Sequence, residues 1–179
     1  MTSSSDQFDP SREVPGELSY LGYDTFHSTF SFNDVVHGIQ SLDGDEVSGL
    51  HFQFGTPMSD AQIRQTFGDD HSLGEGRPMT MTGDTFSVGG GGAEGYICYV
   101  ATRNGPVWLT SNSGDPEDII EVDYDCGCDV EQGIFPGNFL VTYEEVVEAA
   151  SFFFQTGELI PRFRWVSQDD LGFDPWYTD

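Results

Sequence analysis

Several short apolar-rich stretches of the chain are predicted to be β-strands, and residues 50–54 and 119–124 show the alternation of apolar and polar residues typical of half-buried strands. The stretches are residues 50–54, 79–88, 96–100, 107–110, 119–124 and 163–166. A short turn at residues 103–106 connects the stretches 96–100 and 107–110, so these two strands are predicted to form a hairpin. Residues 89–92 are all glycine and are predicted to form a turn after the strand at 79–88.

A helical pattern is clearest after Thr142. Thr142 and Glu145 have the spacing of a capping box, Gly157 suits the C-terminal cap, and Pro161 prevents continuation. The predicted apolar face consists of Val146, Ala149, Ala150, Phe153 and Phe154. This is the best-supported helix in the sequence.

Two shorter helices are predicted earlier in the chain. One covers residues 33–42, is capped by Asn33-Asp34, and carries Val35, Val36 and Ile39 on one face. The other covers residues 56–68, with Met58, Ile63 and Phe67 turned inward.

The order of these elements predicts the α+β class: an antiparallel β-sheet with a few packed helices in a single domain. The domain is expected to span residues 19–170. Residues 1–18 are expected to form a flexible N-terminal arm, and residues 171–179 an acidic, aromatic C-terminal tail. Residues 69–77 are expected to form an exposed loop.

Charge narrows the possible partners. The chain has 31 acidic residues against 6 basic ones, which gives a formal net charge of −25, and it contains no lysine. Direct binding to nucleic acid or to an anionic membrane is therefore not expected. Aromatic residues make up 14 % of the chain, which indicates a folded domain rather than a disordered acidic tail. The acidity fits either a cationic partner or adaptation to a salty cytoplasm, and arginine without lysine also fits a GC-rich genome.

The sequence gives little support to an enzyme or a cofactor. Cys98, Cys126 and Cys128 make a poor disulfide framework and, with histidines at no ligand spacing, a poor zinc site. The glycines at 89–92 lack the Lys-Ser/Thr pair of a phosphate loop, and no Gly-x-Ser-x-Gly elbow is present. We expect no metal or other cofactor and no catalytic residue. With no secretory signal and no apolar run long enough to span a membrane, a reduced cytoplasmic protein is predicted.

The segment most suggestive of function is residues 115–131, which is acidic and contains no basic residue. On the predicted strand around Ile120, the side chains of Glu121, Asp123 and Asp125 are expected to project from one face. Neighbouring carboxylates on this face would be about 7 Å apart. Such a face could dock a basic protein, with Trp108 as a nearby aromatic anchor, or could simply be solvated. The predicted contact residues are Trp108, Asp115, Glu117, Asp118, Glu121, Asp123, Asp125, Asp129 and Glu131.

Residues 87–166 resemble the Imm1 family of bacterial immunity proteins. The resemblance rests on Gly92-Ala93-Glu94-Gly95 before a strand, Trp108 followed by Ser111 and Ser113, and Phe135-Pro136. It continues through the helix after Val141-Thr142, then Thr156-Gly157, Pro161 and Trp165, whereas residues 1–86 match only in length.

The resemblance implies an α+β fold, no catalytic activity and a cognate toxin as partner. Members of the family are often encoded beside deaminase-fold polymorphic toxins, including toxins that act on cytosine in DNA. Such a toxin has a basic substrate groove over a zinc-activated water. We therefore expect an immunity protein that covers this groove. The alternative is a salt-adapted acidic domain with a ligand-binding or hydrolytic role.

Overall fold

The computed structural model describes residues 8–21, 25–42, 49–68, 79–91, 95–111, 114–123 and 132–171. The strands within these residues are β1 (Val14–Leu21), β2 (Thr25–Phe30), β3 (Gly49–Pro57), β4 (Met79–Met81), β5 (Thr85–Gly91), β6 (Gly95–Thr102), β7 (Gly105–Thr110), β8 (Ile119–Asp123), β9 (Gln132–Pro136) and β10 (Arg164–Ser167). The α-helices are α1 (Phe32–Ser41), α2 (Asp60–Phe67) and α3 (Tyr143–Thr156). Short 3₁₀-helices cover Gly137–Phe139 and Gln168–Asp170.

Eight of these strands form one antiparallel sheet. Its order is β10-β7-β6-β5-β3-β1-β2, and β4 pairs with the end of β3. The predicted α+β class and the β6–β7 hairpin are confirmed. The strand predicted at residues 119–124 exists as β8, but among the described strands it pairs with β9 in a separate two-stranded sheet instead of continuing the main one.

The two faces of the main sheet carry different hydrophobic clusters. In β6, Cys98 and Val100 belong to one cluster, whereas the intervening Tyr99 packs against the other. In β7, Leu109 and Trp108 are divided in the same way. Because successive residues of a strand point to opposite faces, the clusters lie on opposite sides of the sheet. Residues of α1 and α3 belong to the first cluster, and residues of β8 and β9 belong to the second.

Aromatic packing dominates the helical side. The ring of Phe52 on β3 lies 5.1 Å from that of Phe86 and 5.7 Å from that of Phe153 on α3, measured between ring centroids. Helices α1 and α3 also contact each other, since Gln40 Nε2 on α1 donates a hydrogen bond of 2.9 Å to the Tyr143 hydroxyl on α3. The predicted inward face of α3 is confirmed: Val146, Ala149, Ala150 and Phe153 are buried, and Phe154 is partly buried.

Capping interactions define where the helices begin. The capping box of α3 is confirmed, because the Glu145 amide donates to Thr142 Oγ1 and the Thr142 amide donates to Glu145 Oε2. Gly157 ends this helix in the left-handed conformation, as predicted. The cap predicted for α1 was wrong: Ser31, not Asn33-Asp34, is the N-cap, and Asp34 closes the box from inside the helix. The hydrogen bonds from Ser31 hold the pKa of Asp34 below its usual value.

Residues 14–18 do not belong to a loose arm, because they form the first part of β1. Leu18 on this strand is fully buried, and β1 lies between β2 and β3. The alternation was hard to recognise because Gly16 occupies an inward position, where an added Cβ would lie 2.3 Å from the Gln53 carbonyl oxygen. Leu171, assigned to the tail, packs against the second cluster. Residues 1–7 of the predicted arm and residues 172–179 of the predicted tail lie outside the described residues.

The glycine run does not form the predicted turn after residues 79–88. That stretch is divided into β4 and β5, and Gly89, Gly90 and Gly91 extend β5 along β6. The close approach of the end of α1 explains the last of these glycines, since a Cβ on Gly91 would lie 2.3 Å from the Leu42 carbonyl oxygen. Gly92 and the loop predicted at 69–77 lie outside the described residues.

The second short helix exists as α2, but it begins only at Asp60 because residues 56 and 57 still belong to β3, and its orientation was predicted only in part. Ile63 on α2 is buried, as expected, and Met58 just before the helix is partly buried. Phe67 is 47 % exposed, so its predicted inward orientation is wrong. It stands at the last position of α2, directly before the Gly68 cap.

The first prediction concerns α3. Phe153→Ala should lower the free energy of unfolding by about 3–5 kcal/mol, because it leaves a cavity among packed aromatic rings. Thr142→Ala removes only the cap and should cost about 1 kcal/mol. Urea unfolding followed by circular dichroism measures both. A Phe153→Ala protein as stable as the parent would contradict the burial of this helix face.

Candidate functional site

Three exposed carboxylates lie together on a tight turn between β7 and β8. We call residues 115–118 the acidic turn; its carboxylates belong to Asp115, Glu117 and Asp118. Asp115 Oδ1 accepts a hydrogen bond of 2.9 Å from the Glu117 amide, and the Asp115 carbonyl oxygen accepts one of 3.2 Å from the Asp118 amide. The turn is thus ordered by its own first residue, and the side chains of Glu117 and Asp118 face solvent.

Close backbone contacts hold the acidic turn against the 3₁₀-helix Gly137–Phe139. The Gly137 amide donates a hydrogen bond of 2.8 Å to the Asp118 carbonyl oxygen. Gly114 precedes the turn, and a Cβ at this position would lie 2.3 Å from the Gly137 carbonyl oxygen and 2.6 Å from Asn138 Cα. These are backbone atoms that cannot move aside as a flexible side chain can. The approach therefore requires glycine at position 114.

Ser111 connects the same region to α3. Its amide donates a hydrogen bond of 2.8 Å to the Asn138 carbonyl oxygen, and its hydroxyl donates one of 3.2 Å to Glu145 Oε1. Glu145 uses its other carboxylate oxygen in the capping box. One glutamate therefore secures both the start of α3 and the chain that leads to the acidic turn.

Trp108 lies beneath this site rather than on its surface. The side chain is fully buried, with its ring centroid 4.6 Å from that of Tyr99 and 5.3 Å from that of Phe135 on β9. Its indole Nε1 donates a hydrogen bond of 2.7 Å to Gln168 Oε1. In this structure Trp108 is therefore not accessible to a partner, contrary to the expected role as a contact residue, and its contacts attach β9 to the main sheet.

An apolar groove opens beside the acidic turn. It has a volume of about 260 Å³ and is lined by Pro116, Asp118, Ile119, Ile134, Phe135 and Pro136. Ile119 is 78 % exposed, whereas the next residue, Ile120, packs against the second cluster. Sequence reasoning missed this groove. The available signal was the pair Ile119-Ile120, because in a strand only one of two adjacent residues can face the core.

The remaining predicted contact residues follow the acidic turn in the chain. Glu121 and Asp123 belong to β8, opposite Ile134 and Gln132 of β9. Their projection from one face stays a prediction. Asp125, Asp129 and Glu131 lie outside the described residues, as do Cys126 and Cys128.

Basic side chains are absent from the sequence around this site. Between Arg103 and Arg162 the chain has no lysine, arginine or histidine. Arg162 itself pairs with Glu148 on α3 and lies over the Phe163 ring. The groove is therefore flanked by negative charge without a neutralising partner from its own segment, and charges of one sign produce a strong local potential.

Two further places in the structure carry potentially reactive side chains, the His51–Ser87 pair and Cys98. His51 Nδ1 lies 2.6 Å from Ser87 Oγ across β3 and β5, a hydrogen bond that sequence reasoning missed because register alone brings the residues together. Ser87 is only 1 % exposed, so its hydroxyl is not open to a substrate in this structure. Cys98 is also buried, and burial raises its pKa far above the usual value, which suppresses the reactive thiolate.

Within the described segments, no group of His, Cys, Asp and Glu side chains has the arrangement of a metal site. In the same segments, no helix is both long enough and apolar enough to cross a lipid bilayer.

Fold and site together define an acidic α+β domain, in which a charged turn and an apolar groove lie beside the two-stranded β8–β9 sheet. Residues 34–167 match the family model described as immunity protein Imm1, and the chain belongs to this family. Membership implies an immunity protein whose partner is a toxin. The match extends well before residue 87, where the resemblance was expected to begin. Searches of curated proteins and of solved structures found no match.

Several residues that carried the resemblance form the frame of the site. Trp108 and Phe135 pack against each other, Ser111 bonds to Glu145, and Thr142 caps α3. Their roles are buried packing and backbone support, so they hold the exposed residues in place.

The second prediction concerns Cys98. Iodoacetamide should leave this thiol unmodified in the native protein, because alkylation requires a thiolate and burial raises its pKa. After denaturation in guanidinium chloride, peptide mapping by mass spectrometry should find Cys98 fully labelled. Equal labelling rates before and after denaturation would contradict its burial.

The third prediction tests the support of the acidic turn. Gly114→Ala should lower the free energy of unfolding by about 1–3 kcal/mol, because its Cβ overlaps with backbone atoms. Asp118→Ala is the matched control in the same turn and should change it by less than about 0.5 kcal/mol, because this side chain is exposed. Urea unfolding compares them. Equal stability of both variants would show that the close approach at Gly114 is not required.

Proposed function

We propose that this immunity protein neutralises a deaminase-type toxin, one that acts on cytosine in DNA, by covering its basic substrate groove. The observation that carries the proposal is the acidic turn, which presents three exposed carboxylates in a segment without any basic side chain. The class of toxin comes from the resemblance to the family. The mode of inhibition, coverage of a basic groove, is inferred from the negative charge of the acidic turn.

The charge argument starts from the toxin's substrate. An enzyme that holds DNA needs basic side chains to bind phosphates, and these side chains attract an acidic protein before contact. On β8, Glu121 and Asp123 stand two residues apart, which corresponds to roughly 7 Å, near the spacing of successive phosphates along a strand. The proposed surface comprises the acidic turn, these two residues, and Asp125, Asp129 and Glu131.

Trp108 enters the proposal in an indirect role. Because it is buried against Phe135, it supports β9 and the groove from behind instead of touching the toxin. A merely solvated acidic face would account for the carboxylates. It would not account for an exposed isoleucine lining an apolar groove directly beside them.

The fourth prediction has two stages, and the first identifies the toxin. The tagged chain should capture, from the cells that produce it, a protein with a His-x-Glu and Pro-Cys-x-x-Cys zinc motif, identified by mass spectrometry. That toxin domain alone should convert cytosine to uracil in DNA, supplied in both single-stranded and double-stranded form, and an equimolar amount of the chain should abolish the conversion. Capture of a toxin of another reaction class would refute the deaminase assignment.

The second stage tests the surface with charge-neutralising substitutions. The triple variant Asp115→Asn, Glu117→Gln, Asp118→Asn should associate with the toxin about 10-fold more slowly at low salt, and its association should depend less on salt. Asparagine at 115 keeps the Oδ1 acceptor that orders the turn. Stopped-flow kinetics at several salt concentrations measures the rates.

A control with the same change of charge is available elsewhere. Glu13→Gln, Glu144→Gln and Glu158→Gln alter exposed residues outside the acidic turn and β8. We expect this control to associate nearly as fast as the parent. Equal slowing of both triple variants would mean that only net charge matters, and no slowing of either would exclude a docking role for the acidic turn.

A further inference from the structure

The groove beside the acidic turn has the shape and lining of a receptor for one side chain. Pro116 contributes from the acidic turn and Ile119 from β8, whereas Ile134 and Pro136 contribute from β9, the other strand of what we call the β8–β9 hairpin. Phe135 is itself completely buried. Its volume of about 260 Å³ is slightly below the range of roughly 300–1,000 Å³ typical of small-molecule pockets. We propose that this groove receives a single large apolar side chain of the toxin, next to a lysine or arginine that pairs with Asp118.

This inference rests on the proposed docking surface and adds the residue that anchors it. Exposed apolar residues on their own need no explanation. Ile119 differs because it lines a concave apolar surface on a supported hairpin, with a carboxylate in the same lining. Apolar anchors that enter a pocket and become fully desolvated carry most of the binding energy in protein interfaces.

Charge complementarity decides what kind of partner enters the groove. Asp118 lines it, and Asp115 and Glu117 belong to the same turn. A second copy of this chain would bring the same acidic turn and a further charge of −25 towards it, which is strongly unfavourable. A partner with a basic face gains from the same arrangement, so the occupant is an apolar residue flanked by basic ones.

The groove is also prepared for binding before the partner arrives. The acidic turn is fixed by the hydrogen bond from Gly137 and by the contact at Gly114, and β9 is fixed by Phe135 against Trp108. A preformed receptor loses little conformational entropy on association, so more of the contact energy remains as affinity.

The apolar anchor and the carboxylates should act on different rate constants. Charges attract the partner over a distance and so control association, whereas contacts in the desolvated centre control dissociation. Ile119→Ser should therefore accelerate dissociation of the toxin domain by roughly 10- to 100-fold while changing association by less than about 2-fold. Ile119→Leu keeps the apolar surface and should retain slow dissociation.

The experiment uses the full chain and the toxin domain identified by capture, with surface plasmon resonance as the readout. Because Ile119 is 78 % exposed, Ile119→Ser should leave the thermal midpoint unchanged, which separates binding from folding. Phe67→Ser is the control, since it removes an exposed apolar side chain from α2, outside the hairpin. We expect this control to dissociate like the parent.

The outcomes separate this inference from the function on which it rests. Unchanged dissociation of Ile119→Ser, with slow association of the triple charge variant, would overturn the groove's role and leave the docking surface in place. Normal kinetics of both variants would overturn both. Self-association of the parent chain that Ile119→Ser abolishes, seen by sedimentation, would assign the groove to a second copy and overturn the inference.

Discussion

The contact between Trp108 and Phe135 is the constraint on which the candidate site depends. A two-stranded sheet is marginally stable on its own, so β8 and β9 need support from the main sheet. Phe135 provides this support by packing on Trp108. The indole of Trp108 is held in turn by the hydrogen bond that its Nε1 donates to Gln168 Oε1. Ile119 of β8 lines one side of the groove and Pro136 of β9 lines the other, and the acidic turn leads directly into β8. A buried aromatic pair thus determines where the exposed residues stand.

A second connection ties the site to the helical side of the molecule. Glu145 closes the capping box of α3 with one oxygen and accepts the Ser111 hydroxyl with the other. Ser111 in turn donates its amide to Asn138, next to the glycine that supports the acidic turn. Removing the Glu145 carboxylate would therefore disturb helix and turn together, whereas changing Glu117 or Asp118 would leave this network intact. The molecule separates the residues that build the site from those that present charge.

Local patterns were enough to predict α3 and the β6–β7 hairpin, because their caps, turns and alternation all lie within a few neighbouring residues. β1 was missed because Gly16 interrupts its inward positions, and Trp108 was misplaced because alternation alone does not say which face of a strand is covered. The acidic segment could be recognised from charge. The groove could not, since it exists only when the register of β8 and β9 places Ile119 opposite Pro136. Local sequence patterns cannot predict a site whose geometry depends on pairing between residues that are distant in the chain.

The charge of this chain affects the isolated protein and its complex in opposite ways. At −25 the folded state is opposed by repulsion among its own carboxylates, and the pairing of Arg162 with Glu148 offsets only a small part of it. A basic partner that binds only the folded chain removes part of this repulsion, and by linkage its binding stabilises the fold. Repulsion alone would favour an expanded chain, which could not hold an apolar groove in register. The aromatic core and the contact between Trp108 and Phe135 therefore offset this repulsion. They keep the carboxylates beside the groove while no partner is bound.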